Sequence, residues 1–445
     1  MTSKFKKRLG RLSKGPSSAP GAEPTMALAK EPIVEAAADA STSSSTGTRP
    51  KFSKVKRKKV TNASNPFRSE SPKGLKPVEQ SLPGEEGEIG GYRYRVVRDH
   101  HPRAHRHGET ALAGIFDISP DTLSLLCLED VKSVPPLERW LFLDTETTGL
   151  AGGTGTLPFV LGWVRWDGTS WVTEQFILER PGRERGMLEV LTERLREVDI
   201  LVSYNGKSYD WPLLKARCVM NRLPEPKLER HLDLLHVFRR LYGRELEDVR
   251  LTTIERERLG FGRVDDLPGS EVPEVYFKYL RTGRPERFAG VIKHNVDDLL
   301  AMVAMVAHLH TVLSSPEISL SVWAELALAK MHLRMQDDNE ALAQLRRVLT
   351  RGEVGSEGWF RSLTMACTLL KKRGAFSEAI RLFEEAQDVS KSLDEASLEA
   401  LAKLYEHQAK NIESAKRCAA ELVQRHPSPE HSHRLKRLEE KLSRG

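Results

Sequence analysis

Apolar positions along the chain follow two periods. In RWLFLDTETTGL the unbroken run Trp140–Leu143 leads straight into acids, the mark of a strand buried on both faces. FVLGWVRW and WVTEQFIL flank the turn DGTS and predict a β-hairpin. Residues 183–197 carry helical spacing through Met187, Leu188, Leu191 and Leu195. ILVSY is a further buried strand, YDWPLLKARCVM a helix with Pro212 in its first turn, and HLDLL a short fifth strand. Residues 287–313 form a long helix with apolar Val291, Leu299, Val303, Val306 and Leu309. Upstream, residues 90–139 hold only short apolar runs (YRYRVV, LSLLCLEDV) and read as a lead-in segment. The order predicts an α/β domain over 90–315, with a mixed five-stranded sheet and flanking helices.

Beyond residue 316 the periodicity is helical throughout. NEALAQLRRVL, SEAIRLFEEA and ESAKRCAAEL align on Ala341, Ala379 and Ala415, at spacings of 38 and 36 residues. Each follows a helix of matching phase (WAELALAKMHLRM, FRSLTMACTLLKKRG, EALAKLYEHQAK). Residues 316–445 therefore resemble a short tetratricopeptide array, whose repeat is about 34 residues. A generic helical bundle is the plainer alternative.

Composition changes this picture mainly at the N-terminus. The 445 residues suit two or three domains, and 39% hydrophobic with 29% charged residues excludes a collagenous or wholly disordered chain. Residues 1–89 are rich in Ser, Pro, Ala, Gly and Lys and are expected to be a disordered basic tail. They hold 17 Lys and Arg against 9 Asp and Glu, a balance of +8, whereas the other 356 residues hold 52 and 53. The overall +7 thus belongs to the tail. Its cluster Lys54, Lys56, Arg57, Lys58 and Lys59 either attracts a polyanion or only aids solubility. No run of about 18 uncharged apolar residues exists, so neither a transmembrane helix nor a membrane partner is expected. The basic start lacks the apolar core of a signal peptide. Cys127, Cys218, Cys367 and Cys418 lie far apart without a CxxC, which fits a reducing cytoplasm.

The candidate chemistry is carried by acids at strand ends. Asp144 and Glu146 are two apart on a strand and share a face. Two carboxylates aimed together repel unless a cation joins them, and hard oxygen ligands suit Mg²⁺ or Mn²⁺. Asp210 closes SYNGKSYD after the next buried strand. Asp298 lies on the long helix, four residues after His294 and on the same face, whereas Asp297 lies about 100° away. Four acids from three segments can hold two divalent cations, with His294 placed to take a proton from an attacking water. The plainer readings are solvated turn acids and a structural histidine.

DTETTGL, YNGKSYD and HNVDD resemble the three exonuclease motifs of the DEDD (DnaQ-like) 3′–5′ exonuclease superfamily. With HLDLLHVFRRLYG, LTTIERERLGF and DDLPGSEVPEVYFKYLRTG, residues 90–313 resemble the YprB-type ribonuclease H-like family. The resemblance implies a ribonuclease H-like fold and a metal-dependent nuclease acting on DNA or RNA. It implies metal ligation by Asp144, Glu146, Asp210 and Asp298. His294 departs from the superfamily pattern: with three residues before Asp298 it sits in the register usual for tyrosine.

Weaker candidates surround these. Asn205 and Lys207, in the loop before Asp210, are candidate substrate contacts, and Asp233 could hold substrate, brace the site or cap a helix. The turn with Gly149, Gly152, Gly153 and Gly155 allows close backbone approach but is no P-loop. His100, His101, His105 and His107 read as a solvated loop rather than a metal site. Two functions are open at this point. One is a nuclease, most simply a 3′–5′ exonuclease. The other is a nucleic-acid-binding scaffold whose helical repeats recruit a protein partner.

Overall fold

The computed structural model describes residues 82–149, 155–315 and 318–444. The basic tail up to residue 81, Gly152 and Gly153, and the junction at 316–317 lie outside the described residues.

The expected strands form as β5 (Trp140–Thr147), β6 (Pro158–Trp166), β7 (Ser170–Ile177), β8 (Ile200–Ser203) and β9 (Arg230–Asp233). They belong to a seven-stranded mixed sheet of order β1-β2-β7-β6-β5-β8-β9. The two further strands, β1 (Glu85–Ile89) and β2 (Tyr92–Pro102), are the correction to the sequence reading. The tail therefore ends before Glu85, and the segment after it belongs to the sheet. β1 is the edge strand and β2 its inner neighbour, and both are mostly polar, so apolar periodicity did not mark them. β1 pairs along its length with β2, and Arg95 of β2 adds a bond to Glu86 at 2.7 Å while also reaching Glu179, beyond β7, at 2.6 Å. β5, β8 and β9 are parallel and the other pairs antiparallel.

The lead-in also supplies core. A small hairpin, β3 (Arg106–His107) and β4 (Thr110–Ala111), precedes helix α1 (Pro120–Cys127), and Leu112, Ile115, Leu123 and Leu126 are buried with the sheet. The histidine cluster is not a solvated loop: His100 and His101 lie in β2, and His107 is buried.

Helices α2 (Arg185–Leu195), α3 (Asp210–Met220), α4 (Leu234–Tyr242), α5 (Leu251–Ile254), α6 (Val272–Thr282) and α7 (Phe288–Ser314) complete this part. Strand alternation sorts β5 between two cores. Leu141 and Leu143 pack with α2, α3 and α6. Trp140 and Phe142 pack with α4 and α7, and Asp144 and Glu146 continue that row by the two-residue period. By length and composition α7 is apolar enough to cross a membrane; here it is a core helix, with Leu299 to Leu309 largely buried against the sheet and α4.

The remaining described chain is all helix: α8 (Val322–Arg334), α9 (Asp338–Arg351), α10 (Glu357–Lys372), α11 (Phe376–Ser390), α12 (Glu395–Leu404), α13 (Ile412–Arg425) and α14 (Pro429–Arg444). Ser321, Asp337, Ser356, Asp394 and Asn411 cap five of them by accepting a first-turn N–H, which explains why the chain breaks where it does. Ala341, Ala379 and Ala415 are fully buried on α9, α11 and α13. Ala327, Leu328 and Met331 of α8 share the core formed by α4 and α7.

Candidate metal centre

The motif acids converge at the carboxyl ends of the parallel strands. Asp144 and Glu146 come from β5, Asp210 from the first residue of α3, and His294 and Asp298 from α7. One ligand atom each of Glu146, His294 and Asp298 lies within 4.8 Å of the others. Ligand atoms of an octahedral Mg²⁺ are separated by about 3 to 4 Å, so the spread suits one ion with little adjustment.

Three of the four acids are held by one oxygen. Asp144 Oδ2 accepts from the Asn295 amide at 2.8 Å. Asp210 Oδ1 accepts from the Thr145 hydroxyl, and Asp298 Oδ1 from the Arg263 guanidinium. Glu146 differs: its Oε1 is buried with no hydrogen-bond partner. A buried, unpartnered carboxylate oxygen is costly unless a cation meets it. That orphaned oxygen, in an all-oxygen and imidazole donor set, fits a divalent ion.

The electrostatics agree. Burial, then the charges of Asp298, Asp210 and Glu146, holds Asp144 well above the usual carboxylate range. Burial and Asp298 push Glu146 up to about 7, with His294 opposing. Asp210 is pushed up to about 6 by burial, against the Thr145 hydrogen bond. Asp298 is raised by burial, with Arg263 and His294 pulling it back. Four acids that resist ionising together are not balanced by Arg263 and His294 alone.

His294 is oriented by a residue the sequence reading missed. Its Nδ1 lies 2.9 and 3.0 Å from the two oxygens of Asp266 and 3.2 Å from Arg263 Nη1; the closer carboxylate favours the tautomer with the proton on Nδ1. Its Nε2 then faces Asp298 Oδ2 at 3.8 Å. Burial works to lower the imidazole's affinity for a proton, but Asp298, Glu146 and Asp266 outweigh it and raise the pKa. Arg263 ties this layer together. It bonds Glu255 at 2.8 Å and Asp266 at 3.2 Å as well as Asp298. Glu255 in turn accepts from buried His107 at 2.8 Å, which links the small N-terminal hairpin to the centre.

Glycine makes two of these contacts fit. Gly162 sits opposite Asp144 in β6, and a Cβ there would lie 2.0 Å from Asn295 Oδ1. The missing side chain lets Asn295 reach Asp144 while Gln175 bonds the α7 carbonyl of Ile292 at 2.8 Å. A Cβ on Gly206 would meet Ser203 at 2.4 Å, so the turn into Asp210 needs glycine too.

The weaker candidates sort differently. Asp233 is 2% exposed and its oxygens accept from the backbone N–H groups of Asn205, Lys207 and Leu235, at 2.9, 3.0 and 3.1 Å. It braces the loop and caps α4, two of the roles its position in the sequence offered. Asn205 and Lys207 lie exposed on that loop, beside the cluster rather than in it; Asn205 has φ 66°, a conformation asparagine tolerates. Asp297 is turned away to Lys293 at 2.8 Å. Gly149 accepts from the Tyr209 hydroxyl.

Residues 141–310 match the model of the RNase_H superfamily. The chain is 31% identical, over 334 residues, to a Bacillus subtilis (strain 168) protein described as "Uncharacterized protein YprB"; the match covers 72% of this chain and 78% of that one. The chain belongs to the YprB-type ribonuclease H-like family. Among solved structures, the family B DNA polymerase of Pyrobaculum calidifontis is similar at 17% identity and a TM-score of 0.33, over 50% of this chain and 30% of the polymerase. Asn295, Arg263, Asp266 and Glu255 lie within the matched ribonuclease H-like stretch, whereas His107 precedes it. Asn295 and Asp266 stand inside the quoted runs HNVDD and DDLPG, so adjacency to the motif was the available signal.

Proposed function

We propose that the protein is a metal-dependent nuclease that hydrolyses phosphodiester bonds of DNA or RNA, from a 3′ end. The observation that carries this is the convergence of four acids, Glu146 and Asp210 of them buried, with the unpartnered Glu146 oxygen among them. Asp144, Glu146 and Asp298 would hold one Mg²⁺ or Mn²⁺, with Asp210 serving a second. Two such ions stabilise the attacking and leaving oxygens of a phosphodiester displacement. His294, with its Nδ1 proton committed to Asp266, presents Nε2 as the proton acceptor for the attacking water. Asp266 is a positioning residue that fixes the tautomer. Arg263 holds one oxygen of Asp298 and keeps the other toward the cluster.

The helical part is read as tetratricopeptide-like repeats that recruit a protein partner, supported by the equivalent burial of Ala341, Ala379 and Ala415. Four free cysteines, three of them buried, support a reducing cytoplasm.

The test is a panel of end-labelled single- and double-stranded DNA and RNA incubated with Mn²⁺. Shortening from the 3′ end, abolished in Asp144→Asn, Glu146→Gln and Asp298→Asn proteins that still melt cooperatively, is the expected result. Wild-type rates in two of those three variants would sink the assignment.

A further inference from the structure

α4 is capped by Asp233, beside the acid cluster, and carries Arg239 and Arg240 in its last turn, with Arg244 just past its end. Those three residues line a cleft of about 280 Å³ with Lys330 and Arg334 of α8 and Arg361 of α10. No acidic residue lines it; its other walls are Trp323 and apolar side chains such as Leu241, Leu326 and Met331. The α8 residues recur at helical spacing, so one face of that helix turns toward α4.

The cations are arranged in two ways. Arg244 stacks over the Trp323 ring, 4.2 Å from its centroid, and Arg361 lies 5.8 Å from the same centroid. Glu357, outside the lining, pairs with Arg361 at 2.8 Å and Arg244 at 3.7 Å. These two guanidinium groups are therefore pre-oriented. Arg239, Arg240, Lys330 and Arg334 have no carboxylate partner among the described residues. Glu245, next in sequence to Arg244, is engaged by Arg258 at 2.9 Å and by the Ser321 hydroxyl.

Basic residues at the end of α4 complement the helix dipole, a routine surface role worth under about 1 kcal/mol. That accounts for Arg239 and Arg240, but not for cations brought to the same cleft from two other helices. Like charges gathered without acids repel, and a polyanion turns that repulsion into affinity.

We infer that this cleft binds the phosphodiester backbone of a single-stranded nucleic acid, as a second anchor for the strand whose end reaches the acid cluster. The identity of the polyanion rests on the nuclease reading; the cationic cleft does not. At 1.5 Å rise per residue, Arg239 and Arg240 lie about 9 to 11 Å along α4 from Asp233, with Arg244 just beyond. A single strand a few nucleotides long spans that distance. Five of the six cations are arginine, whose planar fork matches phosphate oxygens in pairs.

The experiment uses the full chain with metal chelated, so that nothing is cleaved. Binding of fluorescein-labelled single-stranded 12-mers, one DNA and one RNA, is followed by anisotropy across a NaCl series. In Arg239→Gln/Lys330→Gln/Arg334→Gln the slope of log Kd against log salt should fall by about 2, about 0.7 for each lost phosphate contact, with at least about tenfold weaker binding. Single variants should each lose about 0.7. Glu357→Gln, which removes the only paired acid, should tighten binding a few fold. An unchanged slope in the triple variant, with its melting temperature intact, overturns the inference. So does poly-glutamate of equal charge competing as well as the oligonucleotide, which would make the cleft a surface for acidic proteins. Cleavage by the wild type with Mn²⁺ is read separately. Salt-dependent binding at the cleft without cleavage sinks the nuclease reading alone; cleavage with an unaltered slope sinks this inference alone.

Discussion

Replacing Glu146 with glutamine should make the metal-free protein more stable, not less. The Glu146 carboxyl ordinarily titrates at 4.5 and is pushed up to about 7 here, chiefly by burial and then by Asp298. A folded-state pKa above the unfolded one means that the folded state binds the proton more tightly. Its stability contribution is therefore complete below about 4.5 and is lost as pH rises to about 7. The difference corresponds to about 3 kcal/mol. Glutamine stays neutral at every pH, so its advantage should open between these values and level off above them. At pH 8, in EDTA, a gain of about 3 kcal/mol raises the melting temperature of a domain this size by about 6 to 12 °C. A residual cost of about 1 kcal/mol for an imperfectly paired amide leaves the sign intact. The assay is thermal melting followed by tryptophan emission, because Trp140, Trp163 and Trp171 are buried in the sheet that carries the cluster. Mn²⁺ at about 100 times its Kd should add about 2.7 kcal/mol to the wild type and little to the variant, closing the gap. Equal melting temperatures at pH 8 in EDTA, with equal responses to Mn²⁺, would refute the picture of a frustrated acid cluster.

Asp266→Asn should lower cleavage about 10- to 100-fold and shift the basic-limb onset to lower pH, since Asp266 helps to raise His294; unchanged Mn²⁺ affinity in the same protein separates positioning from ligation. In wild type the rate should rise with pH through the His294 titration and then level, and single-turnover cleavage should be strongly reduced in His294→Ala and partly restored in His294→Tyr. An Ala form as fast as wild type would make His294 structural. Gly162→Ala places a carbon 2.0 Å from Asn295 Oδ1, so it should cost about 1 to 3 kcal/mol in urea denaturation and impair cleavage with all four acids present.

The acids were legible in the sequence because their signal is local. Asp144 and Glu146 follow an apolar strand, and His294 and Asp298 share a helix face, so period alone places each pair. The strands of the expected sheet were legible for the same reason: they are buried and apolar. β1 and β2 were not, since strands rich in Arg and Glu resemble a solvated linker until their partners are known. The supporting layer was also hidden. Asp266 precedes His294 by 28 residues and His107 precedes Glu255 by 148, and only the folded chain brings them to hydrogen-bonding distance. Asp233 shows the complementary case. Its place at a strand end looks like that of a site acid, yet its oxygens are consumed by backbone N–H groups. Position in sequence finds an acid; whether its oxygens remain available depends on neighbours that position does not reveal.

That distinction explains how the centre can be both unstable and ordered. Asp144, Asp210 and Asp298 each commit one oxygen to a fixed donor, namely Asn295, Thr145 and Arg263. The donors orient the carboxylates without neutralising the cluster, since two of the three are uncharged. Arg263 brings a full positive charge, but shares it among Asp298, Glu255 and Asp266. The remaining repulsion is left for a cation to relieve, and Glu146, with no donor at Oε1, stands where that relief is greatest. Adding a partner for Glu146 would stabilise the metal-free fold and, by the same amount, reduce what an incoming ion gains. The stability this cluster lacks is therefore the free energy available for binding metal.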